Sequence, residues 1–252
     1  MRNHLTLASL VLVALAGVLA LGGDPASTTD AEIPTSRGVA LKANVHRPAK
    51  GNGAAVVLAP GAGYHRGLPL MTRSAEALAE AGFVAIRYDW AYFTAKGEPA
   101  DDLAPEAADL DAAVLFAKKQ EGVTKVLVAG KSLGSMVTVA WGRKHKDDVT
   151  AFALLTPPLS DPEDPSATSH RMDGFEKLGD TTLLVVGDHD PQCDLATLYH
   201  ALDAAGSRQR VVIVPGDHGF GEGEKGSPET LENVDLVARN LVVWAKRRIA
   251  AK

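Results

Sequence analysis

Apolar and polar positions along the chain follow two alternating rhythms. Short runs that are apolar at almost every position recur between longer stretches with apolar residues three or four apart. The short runs cover residues 54–59, 83–88, 126–129, 151–155, 182–186 and 211–214, each the length of a strand. An earlier stretch places Val39, Leu41, Ala43 and Val45 against Ala40, Lys42, Asn44 and His46, a half-buried strand ended by Pro48. Helical spacing predicts helices over 71–81, closed by Gly82, and over 101–119, stopped by Gly122. In the second of these, Leu110, Val114, Leu115 and Ala117 form the expected apolar side. Further helices are expected over 135–141, 196–204 and 231–249.

Strands that are apolar on both faces and alternate with helices define an α/β protein. The expected architecture is a mostly parallel sheet with helices covering both sides. No repeat or second domain interrupts the pattern, so residues 36–252 read as one domain with a full core. Residues 156–179 carry Pro157, Pro158, Pro162 and Pro165 and show no period. They are expected to form a short lid over the carboxyl edge of the sheet.

The chain starts differently. Arg2 and His4 precede an uncharged apolar run over 5–21, and Val18-Leu19-Ala20 suits signal peptidase cleavage. Residues 1–20 are expected to be a signal peptide or, if uncleaved, an N-terminal anchor. Export to the periplasm or outside the cell follows, with membrane contact only in the uncleaved case. Residues 21–35 are small and polar and are expected to be a disordered lead-in.

Composition narrows the function classes. The formal net charge of −5 offers no general basic face for nucleic acid, and 5% aromatic content offers few stacking surfaces. The single cysteine, Cys193, excludes an intramolecular disulfide and a zinc-type cysteine cluster. No metal or cofactor is expected.

Candidate chemistry lies in three loops that each follow a strand. Gly130-Lys131-Ser132-Leu133-Gly134 is a G-x-S-x-G pattern between the run 126–129 and a helical stretch. The pattern is common in a glycine-rich chain, but a serine on a tight strand-to-helix turn is pushed to the rim of the sheet. Gly187-Asp188-His189-Asp190 follows the next-to-last strand, and Asp217-His218-Gly219 follows the last. The order is therefore Ser132, then an acid, then His218. A serine hydroxyl is a poor nucleophile at neutral pH, and a histidine can take its proton and later pass it to the leaving group. A carboxylate would fix the imidazole tautomer. Asp190 fits the G-x-x-D spacing, with Asp188 and Asp194 as alternatives in the same loop; Asp217 suits a turn residue bonding its own backbone. A tetrahedral oxyanion needs N–H donors. The Leu133 N–H follows the nucleophile, and Ala62, in the loop after 54–59, is the second candidate. Tyr64 and Trp90 are candidate substrate-binding residues, and Lys131 is expected to reach solvent or a carboxylate.

These motifs resemble the α/β-hydrolase superfamily over about residue 39 to the end. Within it the chain is similar to dienelactone-hydrolase-like enzymes and to compact bacterial hydrolases with an HGAG-type loop. Ala59-Pro60-Gly61-Ala62-Gly63 resembles the oxyanion loop, and Arg87-Tyr88-Asp89-Trp90 the motif ending the strand before the elbow strand. Pro60 stands where the usual histidine of that loop would be, and Ser132 stands where dienelactone hydrolases proper carry cysteine. The resemblance implies a serine hydrolase acting on a small-molecule ester or thioester through an acyl-enzyme. A peptidase or amidase on the same residues, or a binding protein that keeps the fold without turnover, are the alternatives. A dehalogenase would require an acidic nucleophile.

Overall fold

In the computed structural model, residues 26–251 are described, apart from 162, 165 and 223–226. The expected signal or anchor segment, 1–20, lies outside them. Among the described residues no helix is long and apolar enough to cross a membrane.

Eight strands form one sheet: β1 (Ser27–Pro34), β2 (Ala40–Arg47), β3 (Ala54–Ala59), β4 (Val84–Tyr88), β5 (Lys125–Lys131), β6 (Ala151–Leu155), β7 (Leu183–Gly187) and β8 (Arg210–Val214). Their order is β1-β2-β4-β3-β5-β6-β7-β8. β1 and β2 run antiparallel to their neighbours, and the pairs from β4 to β8 are parallel.

The central strands β3 and β6 are apolar throughout because each face meets its own core. Val56 and Leu58 of β3 face α1 (Pro69–Glu80) and α6 (Pro228–Ala250), whose Leu70, Leu78, Val237 and Leu241 are fully buried. Ala55 and Val57 face the opposite way, toward α3 (Ala104–Lys118) and α4 (Leu133–His145). α5 (Leu195–Ala204) adds Leu198 and Leu202 to that side. The one-residue alternation thus splits β3 between two layers, as the pleat requires.

Three local readings are corrected. The lead-in expected to be disordered through residue 35 contains β1, which pairs with β2 from Ser27–Arg47 to Pro34–Ala40 and buries Ile33 completely. The polar segment lacks an apolar face of its own and takes its order from the neighbouring strand. A single turn, α2 (Ala91–Thr94), follows β4 where no helix was expected. Leu115 is 48% exposed, because the buried stripe of α3 is centred on Leu110, Ala113, Val114 and Ala117. Residues 156–179, expected as a short lid, are anchored to the domain. Their second half makes two 3₁₀ turns, His170–Met172 and Phe175–Leu178, and buries Met172, Phe175 and Leu178 in the core beside α4.

Candidate active site

The strands β5, β7 and β8 deliver the three expected residues to one edge of the sheet. β5 ends at Lys131, and α4 begins at Leu133. Ser132 alone makes the turn, with φ 52° and ψ −111°, a conformation costly for a side-chain-bearing residue. The turn is held by the Ser132 N–H donating to the Leu155 carbonyl at 2.9 Å and by two α4 N–H groups donating to the Ser132 carbonyl. The flanking glycines are required by close approach. A Cβ on Gly130 would lie 2.2 Å from the Gly134 oxygen, and one on Gly134 would lie 2.3 Å from the Ala59 oxygen.

Ser132, His218 and Asp190 form one hydrogen-bonded chain. His218 Nε2 is 2.8 Å from Ser132 Oγ. His218 Nδ1 lies 3.0 and 2.9 Å from the two carboxylate oxygens of Asp190. The Asp190 side chain is fully buried and also accepts from the Gln192 N–H at 2.8 Å, whereas the His218 side chain keeps 17% exposure. A buried carboxylate at Nδ1 favours the tautomer with its proton there, leaving Nε2 to accept from the serine.

The other acids of these loops are engaged elsewhere. Asp188 accepts from the Gly216 N–H at 2.9 Å and pairs with exposed His189 at 2.5 Å. The Gly216 bond is the main cause holding its carboxyl below the usual range. Asp194 caps α5 by accepting from the Thr197 N–H at 2.8 Å. Asp217 accepts from the Gly219 and Gly221 N–H groups at 2.7 and 2.9 Å, closing its own turn. Cys193 is buried, and desolvation first, then Asp190 and Asp194, push its thiol up to about 12. It is a packing residue and a poor nucleophile.

A cavity of about 690 Å³ opens in front of Ser132. Ala62, Leu133, Met136, Pro158, Pro191 and Gln192 line it. The 156–179 segment adds Ser160 and Ser169, both buried, and Asp161, Glu163, His170 and Arg171 toward the opening. The sequence placed the 156–179 segment over this edge of the sheet but not which of its residues face the cavity, because that depends on how the segment folds back. Ala62 and Leu133 both border the cavity beside Ser132, and among the described residues neither N–H is spent on a protein acceptor.

Tyr64 and Trp90 do not line this cavity. Trp90 is completely buried, and its indole N–H donates to the Pro60 carbonyl at 2.9 Å. It packs against the loop after β3, where a large aromatic after a buried strand finds both packing and an acceptor. Tyr64 packs against the α1–α6 core, and its ring lies under the Lys131 ammonium. Lys131 itself is 6% exposed, so of its two expected positions the solvent-facing one is excluded, and Asp190 and Asp217 are the carboxylates whose charge acts on it. Asp89 accepts from the Arg66 N–H at 2.7 Å and forms an ion pair with its guanidinium, a structural role.

The alpha/beta hydrolase domain family matches residues 52–246, and the chain belongs to that family. No curated protein matches the chain. Among solved structures it is similar to Est1E from Butyrivibrio proteoclasticus, with TM-score 0.67 and 18% identity over 88% of this chain and 99% of that one. It is also similar to the dienelactone hydrolase from Anabaena variabilis, with TM-score 0.66 and 21% identity over 89% of this chain and 99% of that one. A third similar structure, from Xanthomonas campestris, is described as an α/β serine hydrolase without lid, with TM-score 0.64 and 18% identity over 91% and 98% of the two chains. At these identities the likeness is one of fold.

Proposed function

We propose that the protein is a serine hydrolase that cleaves a carboxylic ester or thioester of a small molecule through an acyl-enzyme. The observation that carries this reading is the unbroken chain from Ser132 Oγ through His218 to the buried Asp190, ending at the cavity wall. Ser132 attacks the acyl carbon while His218 Nε2 takes its proton. Asp190 holds the imidazole and stabilises its protonated form. The Leu133 and Ala62 N–H groups receive the oxyanion of the tetrahedral intermediate, each worth about 3 kcal/mol there. The proton on His218 then passes to the leaving alcohol or thiol, and a water repeats the sequence on the acyl-enzyme.

The cavity volume suits a compact acyl group, within the range of about 300–1,000 Å³ of small-molecule sites. Ferulic acid has been seen bound to Est1E, whose fold is shared, which supports an acyl substrate of that size class. The apolar run over 5–21 supports action outside the cytoplasm. The test is hydrolysis of p-nitrophenyl esters of rising acyl length. Turnover with a short-to-medium optimum, abolished by Ser132→Ala, is the expected result. Turnover that survives Ser132→Ala, or cleavage confined to amides, would overturn it.

A further inference from the structure

We propose that Lys131 is a positioning residue of the hydrolytic site, its ammonium clamping Tyr64 and the oxyanion loop onto the nucleophile turn; this rests on the serine-hydrolase reading. Lys131 is the last residue of β5, one position before Ser132. Its stem runs under the loop: a Cβ at Gly61 would lie 3.0 Å from Lys131 Cδ and 3.3 Å from Ser132 Cβ. Gly61 therefore sits directly on both side chains, and Ala62, the candidate oxyanion donor, is the next residue. Beyond the loop, Lys131 Nζ is 5.0 Å from the centroid of the Tyr64 ring, within the distance for a cation–π contact. The ring is tied back to Gly61 by the Tyr64 N–H donating to the Gly61 carbonyl at 3.2 Å. One lysine thus touches the loop at its start and at its end.

The charge is expensive at this place. Lys131 is 6% exposed, and no hydrogen bond or ion pair to its ammonium is found among the described residues. A buried ammonium without a direct carboxylate partner is unfavourable, so a methionine of similar length would pack there at less cost. The groups that face it electrostatically are Asp190 and Asp217, from the acid and base loops, with Tyr64 from the oxyanion loop. Both carboxylates favour the ammonium, but burial dominates and lowers Lys131 to about 8. The clamp is consequently charged at neutral pH and released as pH rises through about 8. In the unfolded chain the lysine binds its proton up to about 10.4. Burial of the charged form therefore costs stability at pH 7, and that cost is relieved as pH rises toward 10.

Ester turnover and thermal melting of Lys131→Met, Lys131→Arg and Tyr64→Leu test this, beside wild type and Ser132→Ala. The expected result for Lys131→Met is a ten- to hundredfold lower kcat, KM within threefold, and a higher Tm at pH 7. Tyr64→Leu should show the same kcat loss. Lys131→Arg should recover most of the turnover and move the alkaline fall in kcat from about pH 8 to above pH 9. Lys131→Met turnover within twofold of wild type would overturn the proposal. So would equal losses in Lys131→Met and Lys131→Arg accompanied by lower Tm in both, which is the behaviour of a merely structural lysine. Wild-type turnover that is absent, or that Ser132→Ala leaves intact, would instead overturn the serine-hydrolase reading and remove the basis for this one.

Discussion

The indole N–H of Trp90 donates to the carbonyl of Pro60 at 2.9 Å, linking the end of β4 to the start of the loop after β3 that holds Ala62. Pro60 is two residues before Ala62, so this bond fixes the direction in which the loop leaves β3. The segment holding Trp90 is fixed in turn, because the Ala91 N–H donates to Asp109 Oδ2 at 3.0 Å and Asp109 is paired with Arg37.

Trp90→Phe keeps an aromatic ring and removes only the donor. A buried carbonyl left without its partner costs about 1–3 kcal/mol. The expected outcome is a kcat about tenfold lower with KM little changed, and a modestly lower melting temperature. Steady-state kinetics on a p-nitrophenyl ester check this. A rise in KM alone would show that Trp90 contacts substrate after all.

Asp190→Asn preserves shape but lets the amide favour the wrong imidazole tautomer. By analogy with other serine–histidine–aspartate sites, kcat should fall roughly 10⁴-fold. Asp188→Asn and Asp194→Asn should cost far less in kcat, because those carboxylates bond Gly216 and the start of α5. A comparable loss in either variant would reassign the acid.

Gly134→Ala places a methyl group 2.3 Å from the Ala59 oxygen, where backbone rather than a flexible side chain must give way. The expected destabilisation is about 3 kcal/mol or more in urea unfolding. Gly51→Ala meets nothing within 4 Å and should stay within about 0.5 kcal/mol of wild type.

His46 supplies a pH dependence of stability distinct from any effect on turnover. Its Nε2 accepts from Arg87 Nε at 2.8 Å, so the ring proton sits on Nδ1, 3.0 Å from Thr28 Oγ1 of β1. Burial, then Arg87, lowers His46 to about 4, against about 6.5 in the unfolded chain. Between these values the unfolded chain binds the extra proton. The stabilising effect of a neutral His46 is therefore complete above about pH 6.5 and is lost as pH falls toward 4. His46→Gln should remove part of the acid-side fall in melting temperature, measured from pH 7 to pH 4.

Much of this architecture is legible in the chain because the physics is local. The runs at β3, β6 and β7 are apolar at every position and are buried at every position, as a doubly covered sheet demands. The elbow is legible because only small residues permit the backbone contacts of Gly130 and Gly134. What escaped depends on partners distant in sequence. β1 is polar and ordered by β2. Trp90 was misplaced, and the solvent-facing alternative for Lys131 fails, because a large or long side chain at a strand end can turn inward or outward, and here both pack inward against the loop after β3. The choice among Asp188, Asp190 and Asp194 rests on which carboxylate reaches His218, a distance that spacing does not encode.

The most direct measurement is intact mass after reaction of the native protein with a fluorophosphonate, followed by peptide mapping. An activated Ser132 predicts a single adduct on the peptide containing Ser132, absent from Ser132→Ala and strongly slowed in His218→Ala. No adduct, or an adduct on another serine that Ser132→Ala leaves intact, would contradict the account.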